Sequence, residues 1–219
     1  MTFATEPAQQ PMAALPLFRG VPAPTVERLL ARRRLVSYDA GEIIVQEGEQ
    51  ASTVFIVVEG AAKITKGRQA ESALLIDIVG SGDAIAEYSF HSNQLYDFSV
   101  EAITSCRLVA IELETLAKVL REDTSIASVL FRIQHRHLKV LMDQVEQMKL
   151  LNAAQRVGAY LLRLTRDQQH ASVVTLPYEK ALIAGLLGMN PESFSRALSK
   201  LRDIGITVKG RNFHISSIS

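Results

Sequence analysis

The stretch from Leu182 to Leu201 leaves few ways to fold. Leu182, Ile183, Leu186 and Leu187 recur at helical spacing and stop at Gly188, where a tight turn needs a positive φ. Asn190 then stands where a helix cap belongs, with Pro191 at the first helical position, where its missing N–H is no loss. Phe194, Leu198 and Leu201 follow at i, i+4 and i+7 as a buried stripe, which turns Glu192, Ser195, Arg196 and Ser199 outward. Two helices around a glycine turn, the second with a polar face, form a helix-turn-helix pattern. A guanidinium matches guanine O6 and N7, a carboxylate accepts from cytosine N4, and a small hydroxyl fits beside several bases. This face therefore suits base reading in double-stranded DNA. A helical hairpin with a merely solvated polar face is the structural alternative.

Charge is divided unevenly along the chain. The total is +1, yet residues 149 to 219 hold ten Lys or Arg and four Asp or Glu, a balance of +6. Residues 1 to 148 hold fourteen and nineteen, a balance of −5. A basic C-terminal third beside an acidic remainder is what a phosphate-binding module joined to a regulatory domain shows. Lys200, Arg202, Lys209 and Arg211 crowd around the proposed reading helix and the turn after it, and are the expected phosphate contacts.

The 219 residues, 47% of them hydrophobic, divide on this reading into two modest cores. Residues 1–16 are expected to be a flexible tail: the run is rich in Ala, Pro and Gln and lacks the basic and apolar regions of a secretory signal. No apolar run approaches the roughly 20 residues that cross a bilayer. The single Cys106, in the apolar run Cys106 to Ile111, reads as a core thiol and leaves no internal disulfide. A cytoplasmic protein without a membrane partner is expected.

Residues 35 to 112 read as antiparallel β structure. Apolar runs at Ile43–Val45, Val54–Val58, Leu74–Ile76 and Leu108–Ile111 alternate with Gly41, Gly48, Gly60, Gly67, Gly80 and Gly82. Short strands so punctuated indicate a jelly roll, or β-roll, within a domain spanning 17–122. A short helix is expected over Thr25 to Arg34, its Arg32-Arg33-Arg34 run solvating the negative end. The pattern then changes to one long helix within 123–150, where neither Gly nor Pro occurs. Ile126, Ile133 and Val140 recur every seven residues, as do Leu130, His137, Gln144 and Leu151, which predicts a coiled-coil seam. At 1.5 Å per residue such a helix reaches roughly 40 Å, too long for one small domain to bury, so a homodimer is expected. A long helix packed on its own roll is the alternative. The remaining residues, 151–219, form the helix-turn-helix domain.

With these pieces in order the chain resembles the cyclic AMP receptor and fumarate–nitrate regulator superfamily of transcription factors. The likeness runs from about Leu17 onward. It rests on Asp39-Ala40-Gly41-Glu42, Gln46-Glu47-Gly48-Glu49, Val58-Glu59-Gly60, Gly82-Asp83-Ala84-Ile85-Ala86-Glu87, the long helix and Pro191 to Arg196. The resemblance implies an α+β chain: an N-terminal β-roll sensor, a dimerisation helix and a C-terminal winged helix-turn-helix with its wing near Val208 to Ile215. It also implies RNA polymerase as a partner, through surface loops such as Lys66 to Ser72.

Departures from the family pattern narrow the effector. Ala86 stands before Glu87 in place of glycine, and Asp97 and Phe98 stand where cyclic-AMP-binding members carry an arginine and a small hydroxyl residue. An acidic group repels a phosphate, so cyclic AMP is not the expected ligand, although a cyclic-nucleotide regulator with an atypical pocket is an alternative. One cysteine cannot hold the iron–sulfur cluster of the oxygen-sensing branch. Glu192, Ser195 and Arg196 have the spacing of the fumarate–nitrate and denitrification regulators, a likeness that implies TTGAT-type inverted repeats and haem-based nitric oxide or redox sensing. The effector pocket is expected at Glu87 and His91, with His91 as haem ligand. His135 and His137, two apart on a helix, point about 200° away from each other and cannot chelate together. His137 reads as a seam or interdomain residue, and His170 and His214 as structural or phosphate contacts.

No catalytic constellation appears, and a metal-dependent enzyme on a β-roll would need a strand-borne histidine cluster that the sequence lacks. A small-molecule-binding regulatory subunit acting on a protein partner is the other competing class.

Overall fold

The computed structural model describes residues 15–67, 73–87, 95–167, 173–203 and 205–215. These form two compact units, Met1–Leu138 and Lys139–Ser219.

In the first unit a 3-10 turn at Pro16–Phe18 and helix α1 (Ala23–Leu30) precede eight strands. Strands β1 (Arg34–Tyr38), β8 (Cys106–Glu112), β3 (Thr53–Glu59) and β6 (Ala84–Ile85) make one sheet; β2 (Ile43–Val45), β7 (Ser99–Ala102), β4 (Ala61–Lys66) and β5 (Leu74–Gly80) make the other. Every pairing is antiparallel. Helix α2 (Leu113–Glu122) follows, and helix α3 (Ser125–Leu150) begins in this unit and ends in the second.

Side-chain alternation explains the long apolar runs. Phe55, Val57, Leu108 and Ala110 point into the interior of the roll with Val45, Ala62, Phe98 and Val100. Their neighbours Val54, Ile56, Val109 and Ile111 point the other way, onto Val26, Leu29, Leu116, Val119, Ile126, Val129 and Ile133 of the helices. β3 and β8 are thus covered on both faces, which is why they read as continuous apolar runs rather than alternating ones. Gly60 joins β3 to β4 at φ +92°, and a Cβ there would meet the Ser105 carbonyl oxygen at 2.4 Å.

Two expectations change here. The first helix ends at Leu30, and Arg34 opens β1; Arg33 Nη1 still bonds the Leu30 carbonyl at 3.0 Å, at the negative helix end. Two members of the predicted coiled-coil seam are taken up within the chain: Ile126 and Ile133 are buried against their own roll, and Leu130 packs beside them. The exposed stripe consists of Phe131, Leu138, Leu141, Met142, Val145 and Met148. A helix with apolar residues on two faces offers two seven-residue repeats, and burial of one in the roll decides which is left outside.

In the second unit α4 (Ala153–Asp167), β9 (Val173–Thr175), α5 (Lys180–Leu186), α6 (Pro191–Arg202), β10 (Ile206–Lys209) and β11 (Asn212–Ile215) follow the end of α3. The strands form a sheet in the order β10-β11-β9, the expected wing. Val157, Leu161, Val174, Ile183, Phe194, Leu201 and Phe213 fill the core beneath. Among the described residues no helix is long and apolar enough to cross a membrane.

Candidate DNA interface and effector site

The reading helix is built as its sequence demands. Asn190 caps α6 from an extended conformation, its Oδ1 accepting the Ser193 N–H at 2.8 Å, and Pro191 opens the helix. Gly188 makes the preceding turn at φ +64°, and a Cβ there would lie 3.6 Å from Met148 Sδ near the end of α3. Phe194, Ala197 and Leu201 are buried, whereas Glu192, Ser195, Arg196, Ser199, Lys200 and Arg202 are exposed. Arg196 Nη2 donates to Ser193 Oγ at 3.1 Å, and Ser199 Oγ donates to the Ser195 carbonyl at 3.1 Å. The four expected base-reading residues therefore share one solvent-facing side. Ser193, which the sequence reading passed over, is the residue that holds the arginine.

The basic residues differ in their surroundings. Lys200 and Arg202 sit in the last turn of α6, where cations also complement the helix dipole. Lys209 ends β10, its side chain outside the described set. The guanidinium of Arg211 is engaged: Nε and Nη2 donate to the Leu176 carbonyl at 3.2 and 3.0 Å, and Nη2 reaches the Pro177 carbonyl at 2.7 Å. Arg211 was expected at a phosphate, and in the structure it ties the wing to the segment after β9.

In the roll, Ala86 follows β6 at φ +67°, the left-handed region that glycine favours. This is the local reason a glycine fits at that place, and alanine holds the conformation under strain. Glu87 comes next and is the one buried charged residue among those described, only 2% exposed. Its Oε1 accepts from His137 Nδ1 of α3 at 2.9 Å. Among the described residues neither Glu87 Oε2 nor His137 Nε2 has a hydrogen-bond partner. The Glu87 hydrogen bond, opposed by burial, raises the imidazole pKa above its ordinary 6.5. Nearby, Arg136 pairs with Asp83, and burial raises the carboxyl of Asp77. His137 thus joins α3 to the roll, the interdomain rather than the seam position expected of it, and His135 is exposed. His91 and His170 lie outside the described residues, as does the side chain of His214.

The expected haem ligand His91 lies outside the described residues. Among those described, His137 has its Nδ1 on Glu87 and its Nε2 without a partner, and Cys106 is a buried thiol whose Sγ donates to the Ala61 and Thr104 carbonyls at 3.2 Å, with burial holding its pKa up. These residues do not suit an anion. Phe98 is buried in the apolar interior with Ala86 and Tyr96, while Asp97 is exposed and its carbonyl accepts from Lys66 Nζ. An anionic ligand beside Glu87 would meet a buried carboxylate.

A β-roll carrying a buried polar pair, and a winged helix-turn-helix carrying an exposed polar helix face, define a DNA-binding transcription regulator with a sensor domain. Residues 35–123 match the cyclic nucleotide-binding domain and residues 155–218 the Crp-like helix-turn-helix domain. The chain belongs to the cyclic AMP receptor and fumarate–nitrate regulator family. It is 29% identical to the nitrogen fixation regulation protein FixK of Azorhizobium caulinodans over 171 residues, 74% of this chain and 66% of that protein, just under two thirds of its length. A solved structure from Silicibacter pomeroyi is 35% identical, covers 92% of this chain and 90% of its own, and has a TM-score of 0.61. The crystal structure of DNR from Pseudomonas aeruginosa is 27% identical over 94% of this chain and 92% of its own, with a TM-score of 0.51.

Proposed function

We propose that this regulator binds, as a homodimer, inverted repeats of TTGAT-type half-sites, and that a small effector in the β-roll beside Glu87 controls the binding. The observation that carries the DNA reading is the capped helix α6 with Glu192, Ser195, Arg196 and Ser199 exposed on one side. Arg196 and Glu192 contact bases, Ser195 separates related sites, and Lys200, Arg202 and Lys209 attract phosphate. Selection of bound sequences from a random duplex library tests this: enrichment of TTGAT inverted repeats is expected, and enrichment of an unrelated half-site overturns it.

The homodimer is supported by the exposed stripe on α3. Phe131, Leu138 and Val145 recur every seven residues and Leu141 and Met148 fall three after the last two repeats' starts, which is the a/d spacing of a two-helix seam. Two-fold symmetry then sets the reading helices on half-sites about 34 Å apart. RNA polymerase is the proposed protein partner at the loop from Lys66, of which residues 68–72 lie outside the described set.

The effector proposed here is not a cyclic phosphate, because Glu87 is buried and the family's arginine position holds Asp97. Haem with His91 as axial ligand is the part of the reading that resemblance to denitrification regulators supplies. A stoichiometric Soret band on haem addition, abolished by His91→Ala, tests it; without that band haem leaves the account.

A further inference from the structure

We propose that Glu87 and His137 form a proton-operated latch between the β-roll and helix α3, closed while His137 carries two ring protons and released when it loses one. The latch joins residues 50 apart in sequence, one at the end of β6 and one on the helix that runs on to Leu150. Its consequence for DNA binding rests on the function proposed above; its physical operation does not.

The geometry makes the pair depend on its proton. Glu87 is taken out of water, and a buried carboxylate needs a cation or several donors. Among the described residues His137 Nδ1 is the one donor it has, and Oε2 has none. Arg136 cannot substitute, because its guanidinium is paired with Asp83 in the turn before β6. When His137 is neutral, Glu87 is left, among the described residues, with a single uncharged N–H. The strained Ala86 immediately before it then favours movement of this corner rather than persistence.

The groups facing the imidazole come from three places. Glu87, after β6, and Asp77, on β5, favour its charged form; Arg136, on its own helix, opposes it, as does burial. Asp83, beside Asp77, is held by Arg136. The imidazole pKa is raised, so the latch contributes fully below the ordinary value of 6.5 and is lost as pH rises through the raised value. The latch is therefore closed by acid and opened by alkali. An effector that bonds Glu87 Oε2 or His137 Nε2, which have no partner among the described residues, acts on the same link from the ligand side.

The experiment uses the full chain as wild type, His137→Gln and His137→Arg. Glutamine keeps a neutral donor and does not titrate; arginine keeps a permanent cation. Amide hydrogen exchange over residues 125–138, corrected for the intrinsic pH dependence, is followed from about pH 6 to about pH 8.5 together with the His137 ring resonances and DNA affinity. Wild-type protection is expected to fall several-fold across that range, the arginine chain to remain protected throughout and the glutamine chain to be weakly protected throughout. The wild-type imidazole is expected to titrate above 6.5. The same pH dependence of exchange in all three chains, or titration of His137 at or below its ordinary value, overturns the latch. Exchange that follows the expected order while DNA affinity varies with pH identically in all three chains overturns its regulatory consequence. Exchange in the expected order with no DNA binding by any chain sustains the latch and removes the DNA reading instead.

Discussion

Asn190 Oδ1 accepts the Ser193 N–H at 2.8 Å, and Ser193 Oγ in turn accepts from Arg196 Nη2 at 3.1 Å. Helix start and reading residue are thus linked through one serine. Asn190→Ala removes the cap and is expected to destabilise the protein by about 1 kcal/mol in chemical denaturation, whereas Asn190→Asp keeps the acceptor and leaves stability within about 0.5 kcal/mol. Equal losses for both would mean that the cap contributes nothing.

Arg211 and Lys200 are both basic, exposed and near α6, yet their structural positions predict different losses. Lys200→Ala is expected to lower the slope of log affinity against log salt by about 0.9, the signature of one phosphate contact. Arg211→Ala frees the Leu176 and Pro177 carbonyls, so the expected result is reduced thermal stability with little change in that slope. A salt slope that falls equally in both variants would return Arg211 to the phosphate contacts.

Ala86 allows a test of backbone strain. Glycine there relieves a left-handed alanine costing about 1–2 kcal/mol, and loses about 0.8 kcal/mol of methyl burial plus about 0.5–1 kcal/mol of chain entropy. Ala86→Gly should therefore be nearly neutral. Ala102→Gly, at an equally buried strand position, has no strain to relieve and should cost about 1.5 kcal/mol in denaturant titration. If both substitutions cost the same, the strain is absent.

The exposed stripe predicts a separation between assembly and folding. Val145→Glu should yield a folded monomer by sedimentation, because Val145 is half exposed on the single chain. Ile133→Glu, beneath the same helix, puts a charge into the roll's core and should unfold it. A dimer that survives Val145→Glu would move the interface elsewhere.

Much of this molecule was legible because short-range periodicity carries it. Gly188, Asn190, Pro191 and the Phe194, Leu198 and Leu201 stripe each obey a local rule, and the structure keeps them except that Leu198 is only partly buried and Ala197 is buried instead. The strands buried on both faces were visible as apolar runs, but β4, with Lys63 and Thr65 alternating among Ala62 and Ile64, was not. Long-range partners were the least legible. Spacing separated His135 from His137 but could not say that the second meets Glu87, 50 residues earlier. For the same reason spacing could not say that Ile126 and Ile133 of the α3 heptads are buried in the roll: periodicity finds apolar stripes, and only packing says which one the roll takes.

Arg196 is proposed to read a base from the exposed face of α6. Its direct measurement is the affinity of wild type and Arg196→Ala for the selected duplex and for every single-base variant of one half-site, at constant salt. A loss of about 1–3 kcal/mol on the selected site is expected, with discrimination erased at one position and retained at the others. Undiminished affinity and an unchanged preference at every position would contradict it.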